Sequence, residues 1–201
     1  MSEMTKKQSP LVSFQDVEQA VSGSIGVNFV ERPFNGFYNL RLDPDSDIRQ
    51  SAESALGCSL PLQANTRVAA NDISVYWLGP DEWLIRTRSE DDQSLYGQLK
   101  EVLAGSFSSV VDNSGGMTVI SVSGAEAENI LRQGTTFDLH HSVFSPGQCA
   151  QTVLSHAGML ISCEEREGER VFDLMVRRSF ADYIMKFLQD GATDYGYSFS
   201  R

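Results

Sequence analysis

All three histidines of this chain, and two of its three cysteines, fall in one stretch. Residues 137–163 read FDLHHSVFSPGQCAQTVLSHAGMLISC, which contains His140, His141, Cys149, His156 and Cys163. Imidazole and thiolate groups are the ligands that zinc prefers in proteins. A cysteine beside a histidine is also the usual arrangement of a thiol nucleophile and its base. The spacing of these residues decides which chemistry the stretch can support.

The spacing does not match a zinc site. Zinc ligands usually come in close pairs such as C-x₂-C or H-x₃-H, because a short spacing directs two ligands at one ion. Here successive candidates are separated by eight residues (His141 to Cys149), seven (Cys149 to His156) and seven (His156 to Cys163). An odd separation along a strand places Cys149 and His156 on opposite faces of a sheet. We therefore predict no metal site, with His156 at a hairpin turn.

A reactive cysteine is not predicted either. Its thiol would need a pKa lowered by a helix N-terminus or a neighbouring cation. Cys149 and Cys163 instead lie in alternating β segments, where cysteine behaves as a small hydrophobic residue. His140 and His141 precede a Pro-Gly turn and could face a cleft or a partner. The simpler interpretation, which we favour, is that His140 packs the loop and His141 is solvated.

Arg177 and Arg178 directly precede the last predicted helix, where two cations oppose the helix dipole. A carboxylate or phosphate on a partner would explain them, and a solvated pair is the simpler alternative. The acidic runs at 164–167 and 90–92 are predicted to be solvated at turns and helix starts. The sequence has no P-loop, dinucleotide-binding, hydrolase-elbow or H-E-x-x-H motif. No catalytic, cofactor-binding or metal-binding residue is therefore predicted.

The overall charge argues against two classes of partner. The 201 residues include 16 Lys and Arg against 27 Asp and Glu, a net charge of -11, which repels nucleic acid and anionic membrane surfaces. No apolar run approaches the ~20 residues of a membrane span. The N-terminus lacks a secretory signal, and three widely spaced cysteines fit reduced thiols in the cytoplasm. We expect a flexible tail over residues 1–10 and one compact domain over 11–201.

The elements that must position these residues follow an α+β pattern. The order strand, helix, strands, helix, strand occurs twice, over 36–113 and 117–200, which predicts mostly antiparallel sheets with helices on one side. Helix starts are predicted from Ser89 with Asp91 and Asp92, from Ser123-x-x-Glu126, and from Ser179-x-x-Asp182. Glycines after the apolar faces, such as Gly57, are predicted to end the helices.

Three segments together resemble one family. Residues 58–85, 112–152 and 172–196, with the motifs LGPDEWLI, DLH…PGQCAQT and VRRSFADY, are similar to the gamma subunit of bacterial heterotetrameric sarcosine oxidase. The resemblance implies two β-α-β-β-α-β-like halves, as in the folate-binding domain of the glycine-cleavage aminomethyltransferase. That transferase has a GYTGE-type folate motif, and the corresponding SCEEREGERVFDL lacks it. Independent folate binding is therefore not expected.

The resemblance also implies a function. The whole enzyme demethylates sarcosine oxidatively to glycine, forming hydrogen peroxide and, with tetrahydrofolate, 5,10-methylenetetrahydrofolate. Its alpha and beta subunits would carry FAD, FMN, NAD and tetrahydrofolate, and this chain would be a non-catalytic structural partner of alpha, beta and delta. Trp77 and Trp83 would then be core or interface anchors, and Arg177 and Arg178 would contact an acidic patch on another subunit.

Two alternatives remain open at this point. One is a stand-alone folate-dependent one-carbon transfer protein with the same fold. The other is a metalloprotein built on His140, His141 and Cys149.

Overall fold

In a computed structural model, residues 7–89 and 93–201 are described, and they form two β-sheets and four α-helices. The first half of the chain builds a five-stranded antiparallel sheet in the order β4-β5-β6-β3-β7. Its strands are β3 (Gly36–Arg41), β4 (Arg67–Ala70), β5 (Ile73–Gly79), β6 (Glu82–Thr87) and β7 (Ser109–Asp112), with helices α1 (Asp47–Leu56) and α2 (Ser94–Val102) between them.

A seven-stranded sheet contains the second half of the chain together with two strands from the N-terminal region. Its order is β1-β12-β2-β8-β11-β10-β9, antiparallel except for the parallel pair β2–β12. The strands are β1 (Val17–Gln19), β2 (Val27–Arg32), β8 (Met117–Ser123), β9 (Cys149–Leu154), β10 (Ala157–Arg166), β11 (Glu169–Arg177) and β12 (Tyr197–Ser200), with helices α3 (Ala127–Arg132) and α4 (Arg178–Ala192).

The helices cover the outer faces of the sheets, and the inner faces meet. Strand alternation produces this arrangement, because successive side chains point to opposite faces. In β3, Tyr38 packs with α1 and α2 in one core, while Phe37 faces the other sheet. A second core lies between the seven-stranded sheet and α3 and α4. Burial of each large apolar side chain contributes about 1.5–3 kcal/mol.

The predicted α+β class with mostly antiparallel sheets is confirmed, but two strands were missed. Strands β1 and β2 precede residue 36, and β2 lies inside the seven-stranded sheet between β12 and β8. The period of two is visible in VNFVER, where Val27, Phe29 and Glu31 share the buried face. The acidic residue at the third buried position obscures the pattern.

The three predicted helix N-caps are wrong. Helix α2 begins at Ser94 with Gln93 as its N-cap, four residues after the predicted N-cap, Ser89; Asp91 and Asp92 lie outside the described residues. Ser123 is the last residue of β8, paired with Asn28, so α3 begins only after Glu126. Strand pairing thus overrides a local capping pattern.

At the last helix, β11 continues into α4 with Arg177 as the N-cap residue, so Ser179 lies inside the helix. Asp182 pairs with Lys186 at 2.8 Å and does not complete a capping box. The predicted end of α1 at Gly57 is confirmed, since this residue is left-handed with φ 70°. Glycine adopts that conformation without a Cβ clash.

The N-terminal segment makes contacts before the first strand. Leu11 is fully buried in the core beside α4, the Ser9 hydroxyl donates to the Glu31 carboxylate, and the Gln8 carbonyl accepts a hydrogen bond from Arg178. Of the predicted tail, residues 1–6 lie outside the described residues. In the described part of the chain, no helix is both long and apolar enough to cross a membrane.

Candidate functional site between the two sheets

The space between the two sheets is divided into a charged end, an apolar middle and an open cleft. At the charged end, the centre is Asp173 of β11, whose side chain is fully buried. Asp173 Oδ2 accepts from Arg86 at 2.7 Å and from Arg166 at 2.6 Å, and Oδ1 accepts from the Ser121 hydroxyl at 2.6 Å. Because Arg86 belongs to β6 and Asp173 to β11, this ion pair joins the two sheets.

A second carboxylate completes the charged cluster. Glu164 of β10 receives Arg67 of β4, which is another inter-sheet ion pair, and it accepts from Arg166 at 2.7 Å. The guanidinium carbons of Arg67 and Arg86 both lie 5.9 Å from the centre of the Tyr76 ring. The prediction that Glu164 is solvated at a turn is therefore wrong. It lies within β10, which continues to residue 166 and directs Glu164 at the other sheet.

The electrostatics of the cluster suit a fixed structural contact. Burial would raise the pKa of Asp173, but the charges of Arg86 and Arg166 and the Ser121 hydroxyl outweigh it and hold that pKa below its ordinary value. Burial also raises the pKa of the Tyr76 phenol. A carboxylate that stays ionised and fully hydrogen-bonded is not placed to move a proton. The cluster holds the sheets in register.

The apolar middle layer comes next. It contains Phe37, Tyr76, Leu84, Val119, Cys149, Leu160 and Met175, drawn from both sheets. The Cys149 sulfur lies 3.3 Å from the Thr66 carbonyl, and burial raises its pKa to about 11. Cys163 lies on the other face of the seven-stranded sheet, and burial raises its pKa as well. The prediction that both are buried core residues is confirmed.

The third zone is a cleft of about 820 Å³ that opens at the far side of this layer. Leu84, Leu160 and Met175 form its floor and belong to the apolar layer too. The rest of its lining comes from β3, β5, β7, β8, β9, β10 and β11 and from the turn before β8: Asn39, Leu78, Asp112, Asn113, Gly115, Gly116, Met117, Gln151, Thr152, Val153, Gly158, Met159 and Arg177. The cleft is therefore open and mixed in polarity, whereas the charged end is closed.

The two arginines singled out from the sequence differ in their surroundings. Arg178 donates to the carbonyl of Gln8, which accounts for its position. The Arg177 side chain is exposed on the cleft and makes no hydrogen bond or ion pair with any residue in 7–89 or 93–201. Of the pair, only Arg177 stays available for a partner.

The adjacent histidines lie on a surface loop, and both are exposed. The prediction that His140 packs this loop is wrong, because Leu139 and Phe144 are the buried residues there. His140 Nδ1 lies 2.7 Å from the Ser142 hydroxyl, while the nearby Asp138 carboxylate accepts the backbone amide of His140. A Ser–His pair needs a third group to orient the imidazole ring, and Asp138 is not in that position.

The remaining candidates are far apart. His156 is exposed in the turn at 155–156, as predicted, although the turn lies two residues before the expected Ala157-Gly158. Cys149 starts β9 and His156 lies beyond its other end, so about 20 Å of strand separates them. Within the described ranges, no three His, Cys, Asp or Glu residues are grouped so that they could hold a metal ion.

The two tryptophans are neighbours in the β5–β6 register. Trp83 is fully buried among α1 and α2, and its indole Nε1 donates to the Pro61 carbonyl at 2.8 Å. Trp83 is therefore a core anchor, as one of the two sequence interpretations proposed. Trp77 is only partly buried, next to the bulge between residues 77 and 79.

Comparison with known proteins agrees with this architecture. The family model described as Sarcosine oxidase, gamma subunit family matches residues 43–194. The chain belongs to this family. A sarcosine oxidase subunit gamma from Arthrobacter sp is 31% identical over 157 residues, which are 78% of this chain and 75% of that protein.

Two solved structures extend the similarity. Heterotetrameric sarcosine oxidase from Corynebacterium sp. U-96, in complex with pyrrole 2-carboxylate, contains a chain with a TM-score of 0.83 and 25% identity, covering 94% of this chain and 96% of that one. Glycine cleavage system aminomethyltransferase T from Bartonella henselae gives a TM-score of 0.64 at 11% identity, over 87% of this chain and 48% of that one. The second match shows a shared fold, as the sequence resemblance implied.

Proposed function

We propose that this chain is a non-catalytic structural gamma subunit of a heterotetrameric sarcosine oxidase. The observation that carries the proposal is the match, nearly end to end, to a chain of the Corynebacterium heterotetramer. Family membership over residues 43–194 supports it independently. The complex would demethylate sarcosine to glycine with formation of hydrogen peroxide and 5,10-methylenetetrahydrofolate.

The chemistry-bearing groups of the chain support a structural role. Arginines pair with the buried carboxylates of Asp173 and Glu164. Burial raises the pKa of Cys149 and Cys163, which disfavours the thiolate form that a nucleophile needs. In this proposal FAD, FMN, NAD and tetrahydrofolate reside on the alpha and beta subunits, and delta completes the assembly. Three unpaired cysteines fit a cytoplasmic complex.

Surface features also suit assembly. Phe107, in the loop between α2 and β7, is fully exposed, and Leu62, Val143 and Val153 are each more than half exposed. Large aromatic side chains are enriched at the centres of protein interfaces. We expect at least Phe107 to be covered in the complex.

Affinity purification from the native host tests this function. The tagged chain is expected to bring down larger subunits that carry flavin absorbance and show sarcosine-dependent peroxide formation. Omission of sarcosine provides the control for that activity. Recovery of the chain from the native host without any flavin-carrying subunit, under mild salt conditions, would contradict the proposal.

The fold shared with aminomethyltransferase supports a second candidate function. In this alternative the chain is a stand-alone folate-dependent one-carbon transfer protein. The cleft of about 820 Å³ is large enough for an organic ligand such as tetrahydrofolate. Calorimetric titration of the isolated chain with tetrahydrofolate separates the two. Micromolar binding would favour the transferase, and no heat of binding is expected for a structural subunit.

A further inference from the structure

One edge of the seven-stranded sheet is open over a short window. Strand β9 is the edge strand, and hydrogen bonds occupy its outer side at both ends. Cys149 N donates to the Asn65 carbonyl at 2.9 Å, and Ser155 N donates to the Gly134 carbonyl at 2.7 Å. Alternation along a strand places the backbone groups of Gln151 and Val153 on this same outer side. Within the described residues, no backbone group bonds them there. Unpaired edge groups of this kind are templates for another strand.

The open window adjoins the cleft through a row of three residues on adjacent strands. Val153 of β9 is in register with Gly158 of β10, and the register of Met159 with Val176 continues to place Gly158 beside Arg177. A Cβ added at Gly158 would meet nothing within 4 Å. A shallow groove therefore runs from the edge strand across Gly158 to Arg177, over about 10 Å.

Charge and apolar area at this groove define what would fit it. Arg177 is a cation without a partner among the described residues, on a chain whose net charge is -11. It also occupies the N-cap position of the 15-residue helix α4, where the helix dipole adds positive potential. Val153, at the other end of the row, is 52% exposed. The complement is an extended segment with an apolar residue and a carboxylate.

The hairpin that bears the groove is held in place. The Ser155 and Tyr183 hydroxyls are hydrogen-bonded, which ties the β9–β10 turn to α4. The Gln151 side chain donates to the Leu78 carbonyl of the opposite sheet at 2.9 Å. The surface is thus formed before binding, which lowers the entropy cost of adding a strand.

We propose that an extended, acidic segment of another subunit of the complex adds to β9 at Gln151–Val153 and directs a carboxylate across Gly158 to Arg177. The backbone ladder supplies affinity, and the Arg177–carboxylate pair fixes register and direction. This inference rests on the proposed gamma-subunit function, because the segment belongs to a partner in that assembly.

Three substitutions test separate parts of the surface. Val153→Pro removes an outward N–H without taking a donor from the β9–β10 ladder, since edge strands tolerate proline there. Gly158→Val fills the groove with a residue that favours strands. Arg177→Glu reverses the charge. Lys186→Glu makes the same charge change on the exposed side of α4 and serves as the control, and Val153→Thr is the control for the edge.

The measurement is a competition inside the host. Each tagged variant is co-expressed with the untagged wild-type chain and the other subunits, and the ratio of the two forms in the assembled complex is determined by mass spectrometry. We expect each of the three test variants to be incorporated at least about tenfold less than wild type, and both controls to be incorporated equally. Thermal unfolding of the free variants checks that each is folded.

The outcomes distinguish this inference from the proposed function. If the wild-type chain is not incorporated into a flavin-containing complex, the gamma-subunit function fails and this docking mode fails with it. If wild type is incorporated and Gly158→Val and Arg177→Glu compete equally with it, only the docking mode is overturned. A free chain that is a dimer by light scattering and becomes monomeric in Val153→Pro would assign the edge to a second copy of this chain, which also overturns the proposal.

Discussion

The two ends of the inter-sheet space use arginine in opposite ways. At the closed end, Arg86 and Arg166 both bind Asp173, and each sheet supplies part of the ion-pair network. At the open end, the Arg177 side chain has no hydrogen-bond or ion-pair partner among the described residues and lies beside Gly158 of β10, the strand that separates it from the unpaired edge strand β9. The apolar layer with Leu84, Leu160 and Met175 separates the two ends.

The difference shows how to distinguish a structural charge from an available one. A buried charge must be paired and hydrogen-bonded, because its desolvation costs more than an unpaired site can recover. An exposed charge does not require a partner for the fold. Substitutions at the closed end are therefore expected to change stability, and those at the open end to change binding.

The largest effect on stability is expected from Asp173→Asn. This change removes from a buried site the carboxylate charge that Arg86 and Arg166 share, and removal of one member of a buried ion pair costs about 3–5 kcal/mol. The free energy of unfolding from urea titration provides the measurement. Asp72→Asn is the matched control, because Asp72 forms an exposed ion pair with Arg88 at 2.8 Å and should cost no more than about 1 kcal/mol. Equal losses would refute the contrast between closed and exposed pairs.

A second prediction concerns acid. Because the pKa of Asp173 is lowered in the folded chain, its ionised form contributes stability at neutral pH that is lost as pH falls below the unfolded value of about 3.9. Wild type should lose stability steeply between about pH 5 and pH 2. The Asp173→Asn chain, less stable at neutral pH, should show a shallower acid dependence. Parallel urea midpoints against pH for the two chains would contradict this.

Thiol labelling examines the apolar layer that separates the two ends. Burial raises the pKa of Cys149 to about 11, so roughly one thiol in a thousand is ionised at a pH of about 8. Cys58 is only partly buried and should react first with a disulfide reagent, while Cys149 and Cys163 should react only after unfolding. Cys58→Ser should remove the fast phase. Rapid labelling of all three thiols would show that the layer is open to solvent.

The smallest stability effects are expected at the cleft. Arg177→Ala removes no hydrogen bond or ion pair with a described residue, and Gly158→Val enters open space, so each should change the free energy of unfolding by no more than about 0.5 kcal/mol. Urea titration of the free variants is the measurement. A loss above about 2 kcal/mol in either variant would mean that this end, too, is structural.

Local pattern determined much of the architecture. The alternation of the strands, the end of α1 at Gly57 and the burial of Cys149 and Cys163 all follow from residue types within a few positions of each other. The same local logic failed at Ser123, where the β8 ladder extends to the predicted cap, and at Ser179, which lies inside α4 because that helix begins directly after β11. A capping pattern shows that a residue could cap a helix, but the same residue can instead be hydrogen-bonded in a β-strand.

The candidate site was decided by the tertiary structure. Arg86 is 87 residues from Asp173, and Arg67 is 97 residues from Glu164. Sequence periodicity shows that a side chain faces one side of a strand, but not that a second sheet with complementary charge lies opposite. The sequence alone therefore determined the fold class and the strand faces. Only the packing of one sheet on the other decided that Asp173 is held at the closed end while Arg177 remains available at the cleft, because ion pairing depends on distance in space.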